Sequence, residues 1–139
     1  MGYRSDVTAI FYVVCGAGGT APLLKANALL DLWYAAMQDT QPFKADWGNC
    51  FSKVENGYVF ECADVKWYDT YPAITGFNAM VEKFCTDFID NEKLDDGSGL
   101  HQMFCYEFAR IGEELEDIEI DIRGGAEYRL QVDRSVRVE

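Results

Sequence analysis

Apolar and polar positions alternate in two distinct periods along this chain, and the switch between them divides it into strands and helices. Residues 7–14 are rich in β-branched and aromatic side chains and stop at Gly16-Ala17-Gly18-Gly19, which predicts a first strand closed by a flexible loop. Thr20 then reads as a helix cap, with Pro22 in the first turn where its missing N–H leaves no bond unmade. Leu23, Ala26, Leu30, Trp33 and Met37 recur at three- and four-residue steps, the signature of one buried helical face over residues 23–37. Residues 50–53 and 58–67 flank Glu55-Asn56-Gly57, a hairpin signal because Asn and Gly both tolerate positive φ. Pro72 opens a second helix whose stripe is Ile74, Phe77, Val81, Phe84, Cys85 and Phe88, and residues 90–99 read as an acidic loop.

The rest of the chain reads in period two. Phe104, Tyr106 and Phe108 form an aromatic strand face that Arg110 continues, and Ile118, Ile120 and Ile122 alternate with Glu119, Asp121 and Arg123 as a half-buried strand. Gly124-Gly125 suits a tight turn into a last strand carrying Tyr128, Leu130 and Val132 on one side. The order β-α-β-β-α-β-β-β predicts a single α+β domain over residues 1–139. Its mostly antiparallel sheet carries both helices on one face, with a ferredoxin-like β-α-β-β-α-β opening and a C-terminal hairpin. A homodimer is expected, through a sheet edge such as the alternating stretch 134–139 or through the aromatic corner at residues 67–71.

Composition narrows the function classes. With 139 residues, 49% of them hydrophobic, the chain can bury roughly two thirds of its unfolded surface in one core. A net charge of −12 repels nucleic-acid phosphates and anionic lipids, so neither direct nucleic-acid binding nor a membrane is expected, and a basic protein is the complementary partner. The longest apolar run, residues 9–14, is far too short to span a bilayer. Five cysteines without a C-x-x-C pair, and no recognisable signal peptide, predict a reduced, cytosolic chain. Cys62, Cys85 and Cys105 read as small buried hydrophobes.

Candidate chemistry is sparse. His101 is the single histidine, and no spacing spells a metal site, so neither a metal nor another cofactor is expected and no catalytic set can be drawn. The glycine-rich 16–20 stretch lacks the lysine of a phosphate-binding loop. Two surfaces remain. Trp67, Tyr68 and Tyr71, with Arg4 and Arg110 on neighbouring strands, supply planar faces and forked cationic donors suited to a base and a phosphate; the competing reading makes them core and ion-pair residues. Glu113, Glu114, Glu116, Asp117, Glu119 and Asp121 form either a solvated face or a docking surface for a basic partner.

Three segments carry a resemblance: Gly2-Tyr3-Arg4-Ser5-Asp6-Val7, then Asp64-Val65-Lys66-Trp67-Tyr68-Asp69-x-Tyr71-Pro72, and Phe108-x-Arg110-Ile111-Gly112-Glu113-Glu114-x-x-Asp117-Ile118-Glu119. Together they resemble a family of small uncharacterised proteins of tailed bacteriophages. The resemblance implies a phage accessory protein, working in the host cytoplasm, that counters host defence by binding. It implies no catalytic residue. Sequestration of a nucleotide-like immune signal is the leading expectation, an acidic or DNA-mimicking inhibitor of a host enzyme is the alternative, and a nucleotide-processing enzyme is the third.

Overall fold

A computed structural model describes residues 3–16, 19–39, 47, 49–94, 99–114, 116–125 and 129–130. Five strands, β1 (Ser5–Val13), β2 (Phe51–Val54), β3 (Gly57–Val65), β4 (Phe104–Gly112) and β5 (Ile118–Gly124), form one antiparallel sheet in the order β2-β3-β1-β4-β5. The first and second run parallel with β3 inserted between them, which is the split βαβ arrangement, and β5 extends it beyond β4. The α+β class expected from the pattern is the one observed.

β1 lies at the centre and is buried on both faces, which accounts for its nearly continuous apolar run. Val7, Ala9, Phe11 and Val13 point to the helix side, and Ile10 and Tyr12 to the other. α1 (Thr20–Gln38) lays Ala26, Leu30, Trp33 and Met37 on the first of these faces. α2 (Pro72–Phe84) adds Ile74, Phe77, Met80, Val81 and Phe84, then widens into a π-turn, Cys85–Ile89, that buries Cys85 and Phe88. Both helical stripes therefore pack on one side of the sheet. Phe11 sits at the middle of this layer, its ring centre 4.9 Å from those of Trp33 and Tyr106 and 5.2 Å from that of Phe84.

Several local expectations are corrected. Gly19, not Thr20, stands at the N-cap of α1. Only Asn56 of the hairpin takes positive φ, at 59°; Gly57 already belongs to β3, and glycine is required there because a Cβ would collide with the backbone and side chain of β1. The acidic loop contains a short 3-10 helix, Glu92–Leu94, and a second one, Leu100–Met103, precedes β4. The isoleucines of β5 are not buried: Ile118, Ile120 and Ile122 are 40%, 57% and 38% exposed. They pair in phase with Ile111, Ala109 and Glu107, so they lie on the face away from the helices, while Glu119, Asp121 and Arg123 share the helix side with Arg110, Phe108 and Tyr106. The last strand and the pairing edge at 134–139 fall outside the described residues, apart from Arg129 and Leu130, which are not in a strand.

Those two residues cross the open face of the sheet. Their N–H groups each donate to the carboxylate of Glu107 at 3.0 Å, and Tyr12 Oη donates to the same carboxylate. Glu107 is 1% exposed, and a buried acid is tolerated when donors surround it in this way. Among the described residues no helix is long and apolar enough to cross a membrane.

Candidate functional site

A bulge in the β1–β3 ladder sets up the site. The register shifts between Ser5 and Val7 against Cys62 and Val65, and Asp64 takes φ 56° to absorb the extra residue. Its N–H donates to Asp6 Oδ1 at 2.9 Å, and its carbonyl accepts from the Arg4 guanidinium at 3.1 Å. Short acidic side chains tolerate this left-handed conformation better than most. Past the bulge the chain leaves the sheet, with Trp67 turned against Phe77 (ring centres 5.2 Å apart), Trp47 (5.8 Å) and Phe108 (6.0 Å). One side of the indole finishes the core, and the rest borders a cleft.

Tyr68 and Tyr3 close the corner. Tyr68 Oη accepts from the Tyr3 N–H at 2.6 Å, and Tyr3 Oη donates to Asp117 Oδ2 at 2.6 Å while accepting from the Glu114 N–H at 3.0 Å. Partial removal from water and the neighbouring Asp117 carboxylate raise the Tyr3 phenol above its ordinary range. Gly112 lies directly beneath, its N–H donating to the Asp117 carbonyl at 2.8 Å. A Cβ there would run into the Asp117 carboxylate and the Tyr3 hydroxyl, so a larger residue must push those two side chains aside.

Arg110 is the electrostatic centre. Its two terminal nitrogens donate to the two Asp117 oxygens at 2.8 and 3.1 Å, its Nε to Glu119 at 3.0 Å, and one terminal nitrogen also to Ser5 Oγ at 3.1 Å. The bond to Asp117 is the chief reason that its guanidinium holds its proton even more firmly than usual. Arg123, one side further along β5, is held in the same way by Asp121 and by Glu82 of α2, at 3.1 and 2.9 Å. Hydrogen bonding to Asp121 raises it too.

These residues border two hollows that meet at Trp67, Asp69 and Glu119. The first, about 490 Å³, is lined by Tyr3, Trp67, Tyr68, Asp69, Thr70, Arg110, Asp117 and Glu119. The second, about 350 Å³, runs on between α2 and β5 past Asn78, Val81, Glu82, Tyr106, Phe108, Asp121 and Arg123. Among the described residues lining them, five carboxylates face two guanidiniums, so the cleft carries surplus negative charge.

Of the residues picked out by sequence, Trp67, Tyr68 and Arg110 come together in the cleft. Arg4 lies next door, in a hollow of about 200 Å³ with Asp6, Asp64 and Glu113. Tyr71 points outward, edge-on to Tyr68 at 5.2 Å, and serves as the N-cap residue of α2. The acidic run divides likewise: Asp117, Glu119 and Asp121 line the cleft, Glu113 bonds the Arg4 N–H, and Glu114 and Glu116 are exposed on the β4–β5 turn. Trp67, Tyr68 and Arg110 from the first candidate set thus line one cleft with Asp117, Glu119 and Asp121 from the second. Tyr3, Asp69, Glu82 and Arg123 were missed. Tyr3 stood inside a quoted motif, and Arg123 shares the strand phase of Glu119 and Asp121, so both left a signal.

His101 lies in the 3-10 helix before β4 and lines none of these hollows. Among the described residues no three His, Cys, Asp or Glu side chains are grouped so as to hold a metal ion. No family model matches the chain, and no curated protein or solved structure matches it.

Proposed function

We propose that this chain is a binding protein, without turnover of its own, whose aromatic-walled acidic cleft and exposed β4–β5 turn occupy a basic surface on a partner protein. One observation carries the reading: each arginine of the cleft is tied to two carboxylates, and acids remain in excess. A phosphate at Arg110 would have to displace Asp117 or Glu119 and then sit beside the carboxylate it displaced, which costs Coulomb energy at close range. A cation meets the opposite situation. Lysine or arginine side chains gain from the carboxylates and from the Trp67 and Tyr68 rings together. With the phage resemblance, the partner is a host protein whose nucleic-acid-binding or other basic site is blocked, and the sequestered-nucleotide reading yields to this one.

Calorimetry with an arginine-rich peptide and with a panel of linear and cyclic nucleotides tests it. The peptide should bind, with affinity falling as salt rises, and Glu114→Lys with Glu116→Lys should slow association without unfolding the protein. Nucleotide binding that Arg110→Ala abolishes would overturn the proposal in favour of phosphate capture.

A further inference from the structure

Away from the cleft carboxylates, two thiols lie side by side. Cys50 Sγ and Cys62 Sγ are 2.9 Å apart, and both side chains are half-buried and free. Cys50 belongs to the turn that precedes β2, its N–H donating to the Trp47 carbonyl at 3.0 Å and its own carbonyl accepting from the Glu61 N–H at 2.9 Å. Cys62 lies on β3 opposite Val7. Backbone bonds hold Cys50 beside β3, and the two sulfurs have less than about 1 Å to travel to reach the about 2.05 Å of a sulfur–sulfur bond. The other three cysteines differ. Cys85 and Cys105 are buried, and Cys15 is exposed, two residues past the end of β1.

We propose that Cys50 and Cys62 are a reversible redox pair, a modification site that a peroxide closes to a disulfide. The inference is independent of the binding reading. Burial, with the Cys50 thiol beside it, raises the Cys62 thiol, which therefore stays protonated at neutral pH. The Cys50 sulfur attacks one peroxide oxygen, the O–O bond breaks, and the sulfenic acid and one water result. The Cys62 sulfur then attacks the Cys50 sulfur, the S–O bond breaks, and the departing hydroxide takes the Cys62 proton as a second water. Two thiols are oxidised by two electrons and one hydrogen peroxide is reduced to two waters, so the step balances. The new bond would tie the turn carrying Trp47 to β3 two residues before the Asp64 bulge, and thereby stiffen the wall behind Trp67. Disulfides of proteins kept in reducing surroundings are characteristically of this transient kind.

Hydrogen peroxide added to the folded wild-type protein, followed by intact mass and a non-reducing digest, decides the matter. The expected result is loss of two hydrogens, a Cys50–Cys62 cross-linked peptide, and recovery with dithiothreitol. Cys62→Ser should instead leave a sulfenic acid at Cys50 that dimedone captures. A cross-link that maps to Cys15, or oxygen addition without any Cys50–Cys62 bond in the wild type, would overturn the pair, and this readout stands even if the serine variant fails to fold.

Discussion

Phe11 and Arg110 centre two regions built on opposite principles. Around Phe11, at 0% exposure, the neighbours are rings: Trp33, Phe84 and Tyr106 within about one ring's width, with Phe51 and Phe77 behind them. Around Arg110 the neighbours are oxygens of Asp117, Glu119 and Ser5, each placed for one nitrogen. Apolar burial scales with area and has no direction, so the ring cluster gives stability that depends little on any one angle. The charged corner depends on every partner being in place, and much of its Coulomb gain is offset by desolvation. It fixes the shape and charge of the cleft more than it holds the fold.

The sharpest way to break that contrast is in the core. Phe84→Ala removes a fully buried ring that touches Phe11, Trp33 and Phe88, and should cost about 3–5 kcal/mol by denaturant unfolding. A loss under about 0.5 kcal/mol, the range of surface substitutions, would mean that α2 does not seat this stripe.

Gly112→Ala tests the corner by sterics alone. Its Cβ must push aside the Asp117 carboxylate and the Tyr3 hydroxyl, and crowding of this kind costs about 1–3 kcal/mol. Hydrogen exchange gives the more specific readout. The Tyr3 and Glu114 N–H groups, bonded to Tyr68 and Tyr3 in the native corner, should lose protection while core amides of β1 keep theirs. Unchanged exchange at both would show that the corner does not rest on glycine.

Arg110→Met and Glu119→Gln separate the partners of the ion pair. The arginine is 16% exposed and makes four hydrogen bonds, so its loss should cost about 1–2 kcal/mol, whereas Glu119, 57% exposed, should matter by less than about 1 kcal/mol. Equal losses, measured by thermal unfolding, would make the network a single cooperative unit instead.

The same contrast explains what the sequence revealed. Ile74, Phe77, Val81, Phe84 and Phe88 were legible because a buried stripe repeats with the helix, and the helix order with the hairpin fixed the α+β class. The phase of β5 was not legible: alternation tells which residues share a face but not which face a layer covers, and the isoleucines lie on the face away from the helices. Nor was the role of Tyr3, whose partner Asp117 lies 114 residues away. Direction-dependent contacts between distant segments leave no period to read.

Tyr58 and Asp31 join the two principles in one small place, and predict the smallest effect. The Tyr58 ring stacks on Tyr34 at 3.9 Å as a core ring would, yet its hydroxyl donates to Asp31 Oδ1 at 2.6 Å, with Lys53 Nζ on the same oxygen at 2.9 Å. The Tyr58 hydrogen bond first, and Lys53 after it, hold the Asp31 carboxyl below its ordinary 3.8, with partial burial opposing them. A carboxyl lowered in the folded state binds its proton less readily there than when unfolded. Its stabilisation is therefore present above pH 3.8 and is lost as pH falls through the lower folded value. Burial and Asp31 raise the Tyr58 phenol above its ordinary 10.0, so that contribution is present below pH 10.0 and is lost as pH rises beyond it. Asp31 is 53% exposed and water screens the pair, so the acid limb should amount to less than about 1 kcal/mol. Tyr58→Phe keeps the stack and removes the hydroxyl. Stability measured from pH 2 to 6 should then fall less steeply in the variant than in the wild type, and parallel curves would show that the hydroxyl does not set the Asp31 titration.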